Sequence, residues 1–142
     1  MNNTTNYHYA RELALQYLYA YEFRKEQGYD EEHLFPCKDD DELSTIEDGV
    51  MIYATYLAKG VIENLVQLDE MIERYAKNRS LNKIGLINKN ILRLSIFSLL
   101  YNKEVHPIII IDEAVKLSLE FSDNVTYKFV NGILDSIKKN EL

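Results

Sequence analysis

Few residues of this 142-residue chain are of the types that carry catalysis or hold a metal. His33 and Cys37 stand four apart, but Pro36 lies between them and no other soft ligand is near. A zinc site needs three or four such ligands. His8 and His106 are scattered, with no carboxylate or nucleophile pattern around them. Asp112 and Glu113 could pair for acid–base work, yet adjacent residues of a helix point apart, and a capping role accounts for both. The chain has no Gly-rich phosphate loop, His-Glu-x-x-His, Cys-x-x-Cys or Gly-x-Ser-x-Gly. Nothing here argues for an enzyme, a cofactor or a bound metal. The chemistry to look for is recognition.

The charge pattern supports that view. The net charge is −7, which argues against nucleic acid as a partner until the charges are mapped along the chain. Ten acids fall between Glu26 and Asp48 against one base, Lys38. From Arg74 to Lys103 there is no acid. That tract carries Arg74, Lys77, Arg79, Lys83, Lys89, Arg93 and Lys103, interleaved with Asn78, Asn82, Asn88, Asn90 and Asn102. An acid-free run of bases and amides in an acidic protein is a polyanion surface or a solvated helix face. Eleven tyrosines offer rings for base stacking or for packing, and five of them fall in residues 6–23.

These residues are positioned by a helical framework. Five glycines and two prolines are few and favour helices over a turn-dense β fold. Residues 6–23 form an amphipathic helix, with Ala10, Leu13, Ala14, Tyr17 and Tyr21 at steps of three and four and Thr4, Thr5 and Asn6 as N-cap candidates. Residues 24–48 read as an acidic loop with Gly28 and Pro36 as breakers. Periodicity returns from Ile46 to about Asn78 as one long stripe that Gly60 bends or opens to a neighbour. Residues 87–101 are apolar almost all round and form the central helix; Arg93 on it needs a partner, for which Glu113 is favoured over contact with RNA. Two more helices follow, from Pro107 to Phe121 and from Val125 to about Asn140. The expectation is an all-α single domain.

The start, Met-Asn-Asn-Thr-Thr-Asn, has neither the basic flank nor the apolar stretch of a signal peptide. The longest apolar run, at about ten residues, is half of the roughly 20 that span a bilayer. With a single cysteine no internal disulfide can form, which fits a reducing cytoplasm.

Three stretches in order, Ala10-Arg-Glu-Leu-Ala-Leu-Gln-x-Leu-Tyr19, Asn90-Ile-Leu-Arg-Leu-Ser-Ile-Phe-Ser-Leu-Leu100 and Tyr127-Lys-Phe-Val-Asn-Gly-Ile-Leu-Asp135, resemble the bacterial NusB family of transcription antitermination factors. Ile111-Asp-Glu-Ala-Val-Lys-Leu between them is similar too, and only residues 24–48 fall outside the likeness. The resemblance implies two small helical bundles around a central apolar helix. It implies a non-enzymatic role: binding the boxA sequence of nascent RNA together with the ribosomal protein NusE, so that RNA polymerase in the antitermination complex becomes processive on ribosomal RNA operons. Carried onto this chain, RNA contacts fall on Arg11, Tyr75, Arg79, Lys128 and Phe129. Contacts to NusE fall near Tyr19 and Asn88.

This sequence departs from the family in one respect that bears on affinity. Tyr7, His8 and Tyr9 stand where family members carry an arginine-rich run. Asn88 and Val125 replace a glutamate and an aspartate found in some members. Fewer cations should weaken and flatten the salt dependence of RNA binding, by roughly 0.7 in log–log slope per lost phosphate contact. The basic tract and stacking by Tyr7 or Tyr9 are the expected compensation. A protein-only assembly or dimerisation module is the competing reading. The same fold also occurs ahead of ribosomal RNA methyltransferase domains, but no methyl-donor-binding domain is present in this sequence.

Overall fold

The computed structural model describes residues 3–26, 45–77 and 79–142. Among them are six α-helices and no strand: α1 Asn3–Glu26, α2 Asp48–Glu63, α3 Leu65–Ala76, α4 Leu86–Tyr101, α5 Pro107–Phe121 and α6 Tyr127–Glu141, with a 3-10 turn at Leu81–Lys83. The fold is all-α. Residues Met1–Lys59 and Gly60–Leu142 form two compact units. Of the acidic segment expected as a loop, residues 27–44 lie outside the described residues, and Arg24, Lys25 and Glu26 continue α1.

In the first unit α1 begins at Asn3, so Thr4 to Asn6 sit within the helix rather than cap it. Its Ala10 and Leu13 pack on Val50 and Ala54 of α2, flanked by Tyr17, Ile46, Met51 and Tyr53. Leu15 and Leu18 are buried as well, so α1 is covered on more than the single stripe that its periodicity marks. Tyr53 gathers an aromatic cluster: Tyr7 meets it edge-on at 5.0 Å and Tyr56 stacks on it at 6.2 Å.

The second unit is built on α4, whose residues from Asn90 to Leu99 are all buried. Helices α3, α5 and α6 pack on it, and α6 packs on α3 and on α5 as well. Their covered faces are Leu68, Met71 and Ile72, then Ile110, Ile111, Ala114 and Leu117, then Val130, Ile133, Leu134 and Ile137. Ser98 stays in this apolar setting by donating to the Leu94 carbonyl at 3.0 Å. Helix α5 has Pro107 in the first turn, as its sequence implies, but the cap is His106, whose Nδ1 accepts from the Ile108 amide at 3.1 Å; Asp112 and Glu113, expected in the capping role, lie beyond the first turn, which holds no acid.

The expected long helix over 46–78 is two helices, and the break is at Asn64 rather than Gly60. Asn64 donates its side-chain amide to the Gly60 carbonyl at 2.8 Å, offering the backbone an alternative to the helical ladder. Gly60 serves close approach instead. A Cβ built there would lie 2.1 Å from Phe97 Cζ.

Arg93, 4% exposed, is held from two sides. Its Nε and Nη2 meet the Asp69 carboxylate at 2.6 and 2.9 Å, and Nη1 donates to Asn90 Oδ1 at 3.0 Å. The two-point grip comes from Asp69 on α3, an acid the sequence did not single out; Glu113, the expected partner, is buried on α5, where Lys116 also meets it at 3.5 Å.

Two stability outcomes follow from these contacts. Alanine is favoured over glycine in a helix by about 1 kcal/mol, but overpacking of this severity costs about 1–3 kcal/mol, so Gly60→Ala should lower the urea midpoint, and Phe97→Leu should restore part of the loss. Removing one partner of a buried ion pair costs roughly 3–5 kcal/mol. Asp69→Ala, which takes the two-point carboxylate from the buried Arg93 charge, should therefore be more destabilising in the same assay than Arg93→Met, which removes the charge and leaves the partly exposed Asp69 to water.

Candidate nucleic-acid interface

Helix α3 ends at Ala76 and the chain turns through Lys77, which has φ of 55°, a region a lysine enters only under local constraint. The turn delivers Arg79, whose amide donates to the Ala76 carbonyl at 3.3 Å. At the start of α6, Asp123 builds the complementary support. Its carboxylate accepts from the amides of Val125 and Thr126 at 2.8 and 2.6 Å and from the Thr126 hydroxyl at 2.7 Å. This Asx-type turn puts Tyr127, Lys128 and Phe129 in the first helical turn.

There the structure joins two of the residues expected at an RNA surface. The Arg79 guanidinium lies over the Phe129 ring, 4.3 Å from its centroid. Lys128 beside it is exposed, and so is Arg79. A planar cation stacked on a half-buried ring presents its other face, and its N–H donors, outward. Such a pair can stack with a base or donate to a phosphate.

Tyr75, one turn upstream in α3, is half-buried and donates to Glu141 Oε1 at 2.8 Å. The same oxygen accepts from Arg74 Nη1 at 2.8 Å. Burial and the bond to Glu141 raise the Tyr75 phenol above its ordinary value, and the bonds from Tyr75 and Arg74 lower the Glu141 carboxyl. Both groups therefore keep their neutral-pH forms, donor and anion.

The remaining expected residues are placed differently. Arg11, in the first unit, is only 3% exposed, with its guanidinium 5.8 Å from the Tyr53 ring centroid and Nη2 at 3.4 Å from the Tyr53 hydroxyl. Asn88 is buried in the first turns of α4, where its amide donates to Ser122 Oγ at 3.0 Å and ties α4 to the end of α5. Tyr19 is 43% exposed on α1, available to a partner. Tyr7 and Tyr9 are exposed to a similar degree, and His8 Nε2 bonds Glu12 at 2.9 Å. Nothing local signals the Arg74–Glu141 bond, because 67 residues separate its ends.

The NusB family model matches residues 8–139. The chain belongs to the NusB family. The transcription antitermination protein NusB of Elusimicrobium minutum is 37% identical over 132 residues, covering 92% of this chain and 91% of that protein. A crystal structure of T. maritima NusB superposes with a TM-score of 0.81 at 31% identity, over 94% of this chain and 90% of that one. Another match, with a TM-score of 0.80 at 27% identity and 98% coverage of both chains, is a crystal structure of the antitermination factors NusB and NusE in complex with double-stranded RNA. Within this NusB fold no helix among the described residues is long and apolar enough to cross a membrane.

The Asx turn makes an acid-dependent prediction. Hydrogen bonds from the Thr126 hydroxyl and amide and the Val125 amide lower the Asp123 carboxyl below its ordinary 3.8. A carboxyl lowered on folding stabilises the fold at pH values above its unfolded pKa and loses that contribution as pH falls through its folded pKa. The stability difference between wild type and Asp123→Ala should hold from neutral pH down to about pH 4, then shrink at lower pH; thermal melts across pH 2–7 would show it.

Proposed function

We propose that this chain is a transcription antitermination factor that binds boxA-type single-stranded RNA together with the ribosomal protein NusE, and so keeps RNA polymerase processive on ribosomal RNA operons. Family membership supports the role, and the relative solved with NusE and RNA supports both partners. The observation in this chain that carries the RNA reading is the Arg79–Phe129 stack beside exposed Lys128, at the edge of a tract free of acids. Work on nascent RNA places the protein in the bacterial cytoplasm, and the role is one of binding, not catalysis.

The proposed RNA surface uses Tyr75, Arg79, Lys128 and Phe129. Buried Arg11 acts from behind, as a cation that holds Tyr53 and with it the exposed Tyr7. Tyr19 is offered to NusE, and buried Asn88 shapes the α4–α5 junction rather than touching the partner with its own amide. Tyr7 and Tyr9 supply stacking where an arginine-rich run is missing.

The buried positions of Arg11 and Asn88 favour one competing reading, an assembly module that has kept protein partners, NusE or a second copy, and lost useful RNA affinity. A gel-shift with boxA RNA, with and without NusE, separates the two. The proposed function requires a shift that NusE strengthens; a chain that co-purifies with NusE and shifts no RNA is the assembly module. Across a salt series, Arg79→Ala should weaken binding and reduce the log–log slope by roughly 0.7, the value for one phosphate contact to a single strand. Tyr9→Ala should weaken binding with the slope unchanged. If neither substitution weakens binding, neither Arg79 nor Tyr9 contacts the RNA.

A further inference from the structure

Arg74 and Tyr75 are neighbours on α3, so their side chains leave the helix about 100° apart. They nevertheless converge on one atom, Glu141 Oε1, each at 2.8 Å. Glu141 belongs to the last turn of α6, twelve residues and about 18 Å of helix beyond Phe129. Two donors aimed at one anionic oxygen, one cationic and one a hydroxyl, also match a non-bridging phosphate oxygen. The Arg74 side chain is 60% exposed, so the pair is open to a ligand from outside.

We propose that Arg74 and Tyr75 form a phosphate-binding subsite of the RNA surface, which Glu141 fills in the free protein and which an RNA phosphate takes over on binding. The inference rests on the RNA-binding reading above and adds to it a residue, Arg74, and an internal competitor, Glu141. An exposed ion pair is weak, typically 0.2–1 kcal/mol, so the carboxylate holds the donors in place without locking them. The phosphate must nonetheless displace it, and each binding event gives up the two bonds to Glu141. Both cation-bearing contacts on α6, Arg79 at its first turn and Arg74 at its last, then lie along one RNA path.

The test is boxA RNA titration of the full chain, with NusE present, for wild type, Glu141→Gln, Arg74→Ala and the double variant, at several salt concentrations. Glu141→Gln removes the competing charge and should tighten binding by about 1.4- to 5-fold, the range set by an exposed ion pair. Arg74→Ala should weaken binding and lower the salt slope by roughly 0.7, and Glu141→Gln should give no gain in its background. If wild type binds and Glu141→Gln leaves affinity unchanged, the subsite is refuted while the RNA reading stands. If wild type binds no RNA, that reading falls and takes the subsite with it.

Discussion

A cation on a helix that is buried from Asn90 to Leu99 has to be met inside the protein, and how Arg93 is met governs much of the second unit. An isolated buried charge costs several kcal/mol, so α4 can be central only if a carboxylate arrives at a fixed point. Asp69 arrives in a two-point grip, and a planar guanidinium accepts that grip in one orientation. Hydrophobic packing of Leu68 and Ile72 would tolerate a small slide of α3; the Arg93–Asp69 pair does not. Helix α3 is therefore set in register on α4, and the place where its end releases Tyr75, Lys77 and Arg79 is set with it.

The same accounting changes the meaning of the basic tract. Of its seven bases, Arg93 is turned inward to Asp69 and Arg74 is paired with Glu141. Lys103 donates to the Leu99 carbonyl at 3.2 Å and closes the end of α4, a dipole-favourable position. The tract is free of acids in sequence, but acids reach it through the fold. What faces outward with a ring behind it is Arg79 on Phe129, and that pair depends on the Asx turn of Asp123 to put Phe129 in place.

These differences show where the sequence could be read. The helices and their covered faces were legible because burial imposes a 3.6-residue period, and α4 stood out because its period vanishes into all-round apolarity. A glycine such as Gly60 inside a helical stripe is unusual, but bending and close approach leave the same sign; only the position of Phe97 separates them. Asn64 looked unremarkable within a helical stripe, since an asparagine breaks a helix only when its side chain turns back on the backbone. For Arg93, the Asp69 grip was hidden because the acid lies 24 residues away, on a helix whose packing no local pattern announces. The candidate interface residues stand out only through family resemblance, and the contact of Arg11 among them with Tyr53, 42 residues away, has no local sign.

Tyrosines in place of arginines change the kind of binding energy available, not merely its amount. Phosphate neutralisation draws on counterion release and fades as salt rises. Stacking of a base on an aromatic ring is worth roughly 1–3 kcal/mol and is largely indifferent to salt. A chain with net charge −7 pays a long-range penalty for approaching a polyanion, screened within about 8 Å at physiological ionic strength. Beyond that distance the acidic average matters little, and contact is settled by local groups. Tyr7 edge-on to Tyr53, Tyr53 stacked on Tyr56 and Arg11 against Tyr53 make a preformed aromatic surface, so little side-chain entropy remains to be lost on binding. Under the RNA-binding reading, stacking by Tyr7 and Tyr9 needs a cationic share beside it, and the exposed cations Arg79 and Lys128 of the second unit are the candidates for that share.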